Sequence, residues 1–227
     1  CAFVSTNGGW NLAIGALTET GRFRSLKADD GCPIVTGQVQ QDRCWAKVGL
    51  SKIAESPLHW LGLIPQKLAQ TWNHESFQVG YLAETNPMDW TPQRKAAGAE
   101  LLSGYHRLLL ALAAFSPLGF VRWRESPRGV LVQGALILGV SVAVYAAFTN
   151  PWHPFWILAA GTPFLALLPL PGRPHLGGLL RSQLVLLFFA SLTHSLFFGE
   201  DRYHIALSPM LCILAAGALR RTQKEEN

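Results

Sequence analysis

The feature that most constrains this chain is the apolar character of residues 101–219, which are dominated by Leu, Ala, Phe, Val and Gly. Charged residues make up only 15% of the whole chain, against about 25% in soluble globular domains. A soluble domain would have too little polar surface to cover so many apolar segments. Because lipid removes the need for a polar cover, this region is predicted to lie in a membrane.

Five stretches of this region approach the length of a membrane span, which needs about 20 apolar residues to cross about 30 Å. They are residues 101–121, 129–149, 154–170, 179–198 and 203–219. Backbone groups in lipid must pair within their own segment, so these stretches are predicted to be helices. The expected fold class is all-α: a polytopic helical membrane protein whose extracytoplasmic loop region, within residues 1–100, bears amphipathic interfacial helices.

Basic residues lie in or beside alternate gaps between these stretches, as the positive-inside rule requires. They are Arg122, Arg124 and Arg128, then Arg173 and Arg181, and finally Arg220, Arg221 and Lys224. These gaps and the C-terminal tail are therefore predicted to be cytoplasmic, which puts residues 1–100 outside. Since topology accounts for the net charge of +5, membrane lipids are expected partners and nucleic acid is not.

The first residue is Cys1, and no secretory signal pattern follows it. We therefore expect a fragment whose upstream part is missing, with residues 1–4 ending an earlier membrane helix. Residues 41–55 carry a loosely amphipathic helical pattern. No catalytic motif of the serine-hydrolase, zinc-protease or P-loop type is present.

A second amphipathic helix is predicted to start at Ser56, with Ser as cap and Pro57 in the first turn. Apolar residues recur after it at helical spacing, namely Leu61, Ile64, Leu68 and Trp72. Because Trp60 and Trp72 suit the headgroup level, we expect this helix to lie flat on the outer membrane surface. The alternative is an amphipathic helix packed on a small soluble domain.

Cys32 and Cys44 both fall in the predicted outer loop, where an oxidising environment would allow them to form a disulfide. Cys212 lies within a predicted span and is interpreted as a small apolar filler. No His/Cys cluster has zinc-ligand spacing, so neither a metal nor another cofactor is expected.

Three groups of residues are candidates for substrate binding. Asn7, Trp10 and Asn11 surround a Gly-Gly pair that permits close approach of a ligand, and their amides and indole suit a sugar. Taken alone, the motif is better explained by a helix-ending turn with an interfacial Trp. The second candidate is Lys67 on the second helix, which either snorkels or binds phosphate.

Outside these three groups, His194 is a polar residue within a predicted span, although a satisfied buried histidine is the simpler interpretation.

The third candidate group is Arg202, Tyr203 and His204, at the predicted outer mouth of the last span. A charge at the bilayer centre is costly, so Arg202 is expected at the interface. There its guanidinium can clamp a lipid phosphate with two parallel hydrogen bonds. The alternative is interfacial anchoring, with a surface contact between Asp201 and Arg202.

Together these features resemble the membrane-embedded GT-C glycosyltransferases, in the branch of protein mannosyltransferases and lipid A aminoarabinose transferases. The resemblance is carried by three segments: Asn7-Gly8-Gly9-Trp10-Asn11-Leu12-Ala13-Ile14-Gly15; Ile53-Ala54-Glu55-Ser56-Pro57 with Leu61, Ile64, Pro65, Lys67 and Leu68; and Asp201-Arg202-Tyr203-His204-Ile205-Ala206-Leu207-Ser208-Pro209. Their order and spacing cover most of the chain.

This resemblance implies transfer of a sugar from a polyprenyl-phosphate-linked donor on the outer membrane face. It also implies that the catalytic base is an acidic residue in an outer loop upstream of Cys1, so no catalytic residue is expected within the chain. Arg202 and Lys67 would then stabilise the departing lipid phosphate. The alternatives are a non-enzymatic transporter or scaffold subunit, and an enzyme similar to O-antigen ligases.

Overall fold

The computed structural model describes residues 7–33, 37–119, 127–168 and 177–219. Its α-helices are α1 Gly8–Leu17, α2 Gln38–Glu55, α3 Pro57–Gly62, α4 Ile64–Trp72, α5 Phe77–Thr85, α6 Pro92–Gly119, α7 Pro127–Thr149, α8 Trp156–Leu167, α9 Gly178–Leu196 and α10 Ser208–Leu219. Short 3₁₀ turns lie at Ala28–Asp30, Asp201–Tyr203 and Ile205–Leu207. No strand occurs in the described ranges, which confirms the all-α part of the predicted fold class.

The chain divides into two compact units. The first comprises residues 1–71 and 192–200, and the second comprises residues 72–191 and 201–227. The predicted helix end at residues 1–4 lies outside the described residues, as do Arg122, Arg124, Arg173 and the C-terminal tail.

In the first unit, α1 packs closely along α2 because glycines line their contact. A Cβ on Gly9 would overlap the carbonyl oxygen of Asp42, and a Cβ on Gly49 would lie 3.0 Å from the Ala13 nitrogen. The Asp42 carboxylate accepts hydrogen bonds from the backbone nitrogens of Gly9 at 2.8 Å and Trp10 at 3.2 Å. The first N–H groups of a helix have no partner within it, so Asp42 caps α1 from the neighbouring helix.

The small core of the first unit is built around Trp45, which is buried with Ala13 and Cys32. The Trp10 ring lies 5.7 Å from the Trp45 ring. Cys32 and Cys44 are joined by a disulfide with 6.0 Å between their Cα atoms, within the usual range for such bonds. This bond ties the loop that follows the first 3₁₀ turn to α2.

Two of the predicted helices in this part of the chain have different outcomes. The helix at 41–55 is confirmed as α2, and Pro57 begins α3 as predicted. The single helix expected from Ser56 to Trp72 is wrong, because α3 ends before Leu63 and α4 begins at Ile64. Pro65 follows at once, and it lacks the N–H that a continuous helix would need there.

The interfacial position predicted for Trp72 is also wrong, since its side chain is 0% exposed. Leu68 and Thr71 on the same helix are buried as well. The apolar face of α4 is therefore covered by protein.

In the second unit, the 28-residue helix α6 packs mainly along α10 and also contacts α5, α7 and α8. Their buried residues include Leu110, Ala113 and Ala114 on α6, and Leu211, Leu214 and Ala215 on α10. Alanines allow two helices to approach closely, which explains the extent of this contact.

Among the described helices, α7 and α9 are long and apolar enough to cross a membrane, judged by length and composition. α7 has 23 residues and contains an 18-residue window with a mean hydropathy of 2.1; α9 has 19 residues and contains such a window with 1.3. Each of α8 and α10 has 12 residues, fewer than the roughly 20 that a span requires. The fifth stretch begins with two 3₁₀ turns before α10, so the five-span prediction is not confirmed.

Candidate functional site: a buried Glu-His-His cluster and an exposed arginine

The link between α4 and α5, residues 73–76, carries a carboxylate into the interior of the second unit. Asn73 fixes this link through both atoms of its amide. Its Oδ1 accepts a hydrogen bond from the Trp156 nitrogen at 2.9 Å, and its Nδ2 donates to the Trp152 carbonyl at 3.2 Å. As a result Glu75 is only 9% exposed.

Asp201 fixes the beginning of α5. Its Oδ2 accepts hydrogen bonds from the Ser76 nitrogen at 2.6 Å, the Ser76 hydroxyl at 2.8 Å and the Phe77 nitrogen at 2.9 Å. A carboxylate is favoured at a helix N-terminus because it pairs the unsatisfied N–H groups and opposes the helix dipole. Asp201 is buried, so its interpretation as a surface partner of Arg202 is wrong.

Glu75, His106 and His204 form a cluster that we call the buried triad. They come from the 73–76 link, from α6 and from the segment between two 3₁₀ turns. Glu75 Oε2 lies 3.9 Å from His106 Nδ1 and 3.8 Å from His204 Nε2. The imidazoles are 1% and 0% exposed, and their ring centroids are 4.0 Å apart. Three ligand-type atoms therefore converge on one buried point.

Neighbouring groups orient two members of the buried triad. Gln78 donates a short hydrogen bond to Glu75 Oε1, which leaves Oε2 facing the histidines. His106 Nε2 lies 3.1 Å from the Trp72 carbonyl oxygen. Since a carbonyl oxygen can only accept, Nε2 carries the hydrogen, and Nδ1 of the neutral ring presents its lone pair toward Glu75.

The Trp72 indole closes one side of the buried triad. Its ring centroid lies 6.5 Å from that of His106 and 5.8 Å from that of His204, and the rings are nearly parallel. Stacking of this kind holds the two imidazoles in one orientation and keeps water away from them.

The pKa of the Glu75 carboxyl lies below its usual range, chiefly because the His204 imidazole faces it. Burial acts in the opposite direction, and Gln78 and His106 lower the pKa further. Glu75 is therefore ionised at neutral pH. Two imidazole nitrogens and one carboxylate oxygen form a donor set that binds divalent transition metals.

Arg202 and Tyr203 lie in the 3₁₀ turn beside the buried triad and are both exposed. The Arg202 guanidinium is 5.9 Å from the Phe77 ring centroid and 5.1 Å from that of Tyr203. Its Nη2 donates to the Tyr203 hydroxyl at 3.2 Å. His204 instead points inward, so the structure does not bring all three predicted residues to one surface.

Lys67 lies inside the first unit and is 0% exposed. Its Nζ is 3.5 Å from the carbonyl oxygens of Ser195 and Leu196 and 4.8 Å from the Trp60 ring centroid. Those two residues end α9, where carbonyl groups lack partners within the helix. Lys67 thus caps a helix C-terminus, and its phosphate contact stays a prediction.

Asn7, Trp10 and Asn11 lie at the start of α1, where this helix contacts α2. The Asn7 Oδ1 accepts a hydrogen bond from Gln38 at 3.3 Å, and Trp10 packs on Trp45. The adjacent Gly9 has no side chain, and this allows α1 to lie close to α2. Sugar binding by these three residues stays a prediction.

Sequence reasoning missed the buried triad because its members are far apart along the chain and match no ligand spacing. His204 is recognisable in the sequence as a polar residue at the end of an apolar segment, but Glu75 gives no signal of its own. Only the packing of α6 and the 3₁₀ segments around Trp72 shows that they belong together.

The comparisons with known proteins add no assignment: no protein-family model matches the chain, and neither does any curated protein or solved structure.

Proposed function

We propose that this chain is part of an integral-membrane glycosyltransferase that moves a sugar from a polyprenyl-phosphate donor to an acceptor on the outer membrane face. The observation that carries the proposal is Arg202, an exposed guanidinium flanked by the rings of Phe77 and Tyr203. A guanidinium binds a phosphate through two parallel hydrogen bonds. The resemblance to GT-C enzymes supports the same ligand.

The surface of α7 supports a membrane location for this enzyme. Large apolar side chains on it are exposed, including Leu131 at 72%, Leu138 at 65% and Tyr145 at 71%. Soluble monomers rarely expose apolar patches of this extent, and lipid is the cover we propose. In the proposed topology the protein is multi-pass, the C-terminus is cytoplasmic and Arg202 faces the outer side.

In the proposed reaction, a base in the upstream loop removes the proton of an acceptor hydroxyl. The hydroxyl oxygen bonds to the anomeric carbon of the sugar as the bond from that carbon to the lipid-phosphate oxygen breaks. Negative charge grows on the departing phosphate, and Arg202 stabilises it with hydrogen bonds and charge. The Tyr203 hydroxyl holds the guanidinium in place.

The test is sugar transfer from a labelled lipid-linked donor, measured with the complete gene product at equal membrane expression. Arg202→Ala is expected to lower transfer by about 100-fold, the effect of removing one group that stabilises developing negative charge. Arg202→Lys keeps the charge but loses the planar fork, so we expect an intermediate loss.

Arg94→Ala is the matched control. Arg94 is also exposed, lies near the start of α6 and donates to the Asp89 carbonyl at 2.7 Å. It should transfer sugar at the wild-type rate. Wild-type transfer by both Arg202 variants, with unchanged dependence on the donor, would make Arg202 an interfacial anchor and remove the support for the proposal.

A further inference from the structure

We propose that the buried triad of Glu75, His106 and His204 is a binding site for one divalent transition metal of the zinc type. One ligand atom from each residue lies within 4.8 Å of the other two. The inference does not rest on the proposed glycosyl transfer, because it uses only the contacts of these three side chains.

The separations suit a small metal ion. In a tetrahedral zinc site with bonds of about 2.1 Å, neighbouring donor atoms lie about 3.4 Å apart. The two distances from Glu75 Oε2 to the imidazole nitrogens, 3.9 Å and 3.8 Å, exceed that value by about half an ångström. A small rotation of the side chains would close them around an ion.

The orientation of His106 calls for a cation at this point. Its Nε2–H is engaged by the Trp72 carbonyl, so the lone pair of Nδ1 faces a carboxylate oxygen that is also an acceptor. Two acceptors that face each other in a buried site repel unless a proton or a metal ion lies between them. His204 adds a second nitrogen, and so a third ligand atom, to the same point, which favours a metal ion over a proton shared by two atoms.

The surroundings resemble the outer shell of a metal site. Metal-bound histidines usually donate their second N–H to a carbonyl or carboxylate, and metal-bound carboxylates are themselves hydrogen-bonded. Here His106 donates its Nε2–H to the Trp72 carbonyl, and Gln78 donates a hydrogen bond to Glu75 Oε1. Three protein ligands leave a fourth position for water or another small ligand.

The experiment measures metal in the purified complete gene product. After loading with Zn²⁺ and removal of excess ion, elemental analysis should find one zinc per chain. Glu75→Gln and His204→Gln should each lower zinc affinity at least tenfold. His74→Gln is the control, since His74 is half-buried and faces Asp201 at 4.0 Å; it should retain one zinc.

Two further measurements keep the test decisive if a ligand variant fails to fold. Gln78→Ala keeps all three ligands and should weaken zinc binding by about 10- to 100-fold, as loss of an outer-shell partner does. Wild-type protein loaded with Co²⁺ should show the visible absorption of a tetrahedral site. Absence of bound metal in the wild type, or equal zinc retention by all variants, would overturn the inference, whatever the result for sugar transfer.

Discussion

Lys67 is a cation that the first unit holds out of contact with water. Burial lowers the pKa of its ammonium to about 8, because the charged form loses hydration. The Ser195 and Leu196 carbonyls favour the charged form, but at 3.5 Å they lie at the outer limit of hydrogen bonding. We therefore expect the loss of hydration to prevail.

This balance predicts that the stability of the folded protein depends on pH through Lys67. Because the folded-state pKa lies below that of the unfolded chain, the folded state binds fewer protons between pH 8 and about 10.4, and stability rises with pH in that window. At pH 7 the unfolding free energy of Lys67→Met should exceed that of the wild type by on the order of 2 kcal/mol, once screening is allowed for. The advantage should vanish by about pH 10.4.

Unfolding of both proteins across pH 7–10 checks this expectation. Lys47→Met removes an exposed lysine from α2 and should show no such trend. A Lys67→Met difference that is constant across the range would contradict the assignment of a desolvated ammonium.

At the scale of single elements, Asp201 decides whether α5 has a defined beginning. Asp201→Ala would leave the Ser76 and Phe77 N–H groups without their buried acceptor, which costs about 2 kcal/mol. Chemical unfolding followed by helical circular dichroism measures the loss. Exposed Asp29→Ala should have little effect, and an equal loss in both variants would show that Asp201 is not a specific cap.

Local rules predicted some elements and missed others for identifiable reasons. Helix α2 and the start of α3 at Pro57 follow from amphipathic spacing and from the fixed φ of proline. The break at Leu63 goes with Pro65, which apolar periodicity does not take into account. The two 3₁₀ turns before α10 depend on what that segment packs against, which periodicity does not report either. The apolar spacing predicts the apolar face of α4, but protein covers this face where lipid was expected.

Some residues of the candidate site could likewise be predicted from the sequence, and others could not. Arg202 and Tyr203 could be singled out because a charged and polar cluster at the end of an apolar stretch is unusual. The buried triad could not, because the partner of His204 is Glu75, which lies in a link between two helices with no pattern of its own. Asp201 looked like a surface charge and is instead the cap of α5, since three donors converge on one carboxylate oxygen.

At the scale of the whole molecule, the proposed membrane topology predicts which parts of the chain are accessible from each side. We predict that residues 16–95 are outside and that the gap containing residue 125 is cytoplasmic, because three arginines lie in that gap. Single cysteines introduced into a cysteine-free background test this order: Met88→Cys, where Met88 is 90% exposed, and Glu125→Cys. An impermeant thiol reagent applied to intact cells should label the first variant and reach the second only after permeabilisation. Labelling of Glu125→Cys in intact cells would contradict the topology and would put Arg202 on the side opposite to the one that the proposed transfer requires.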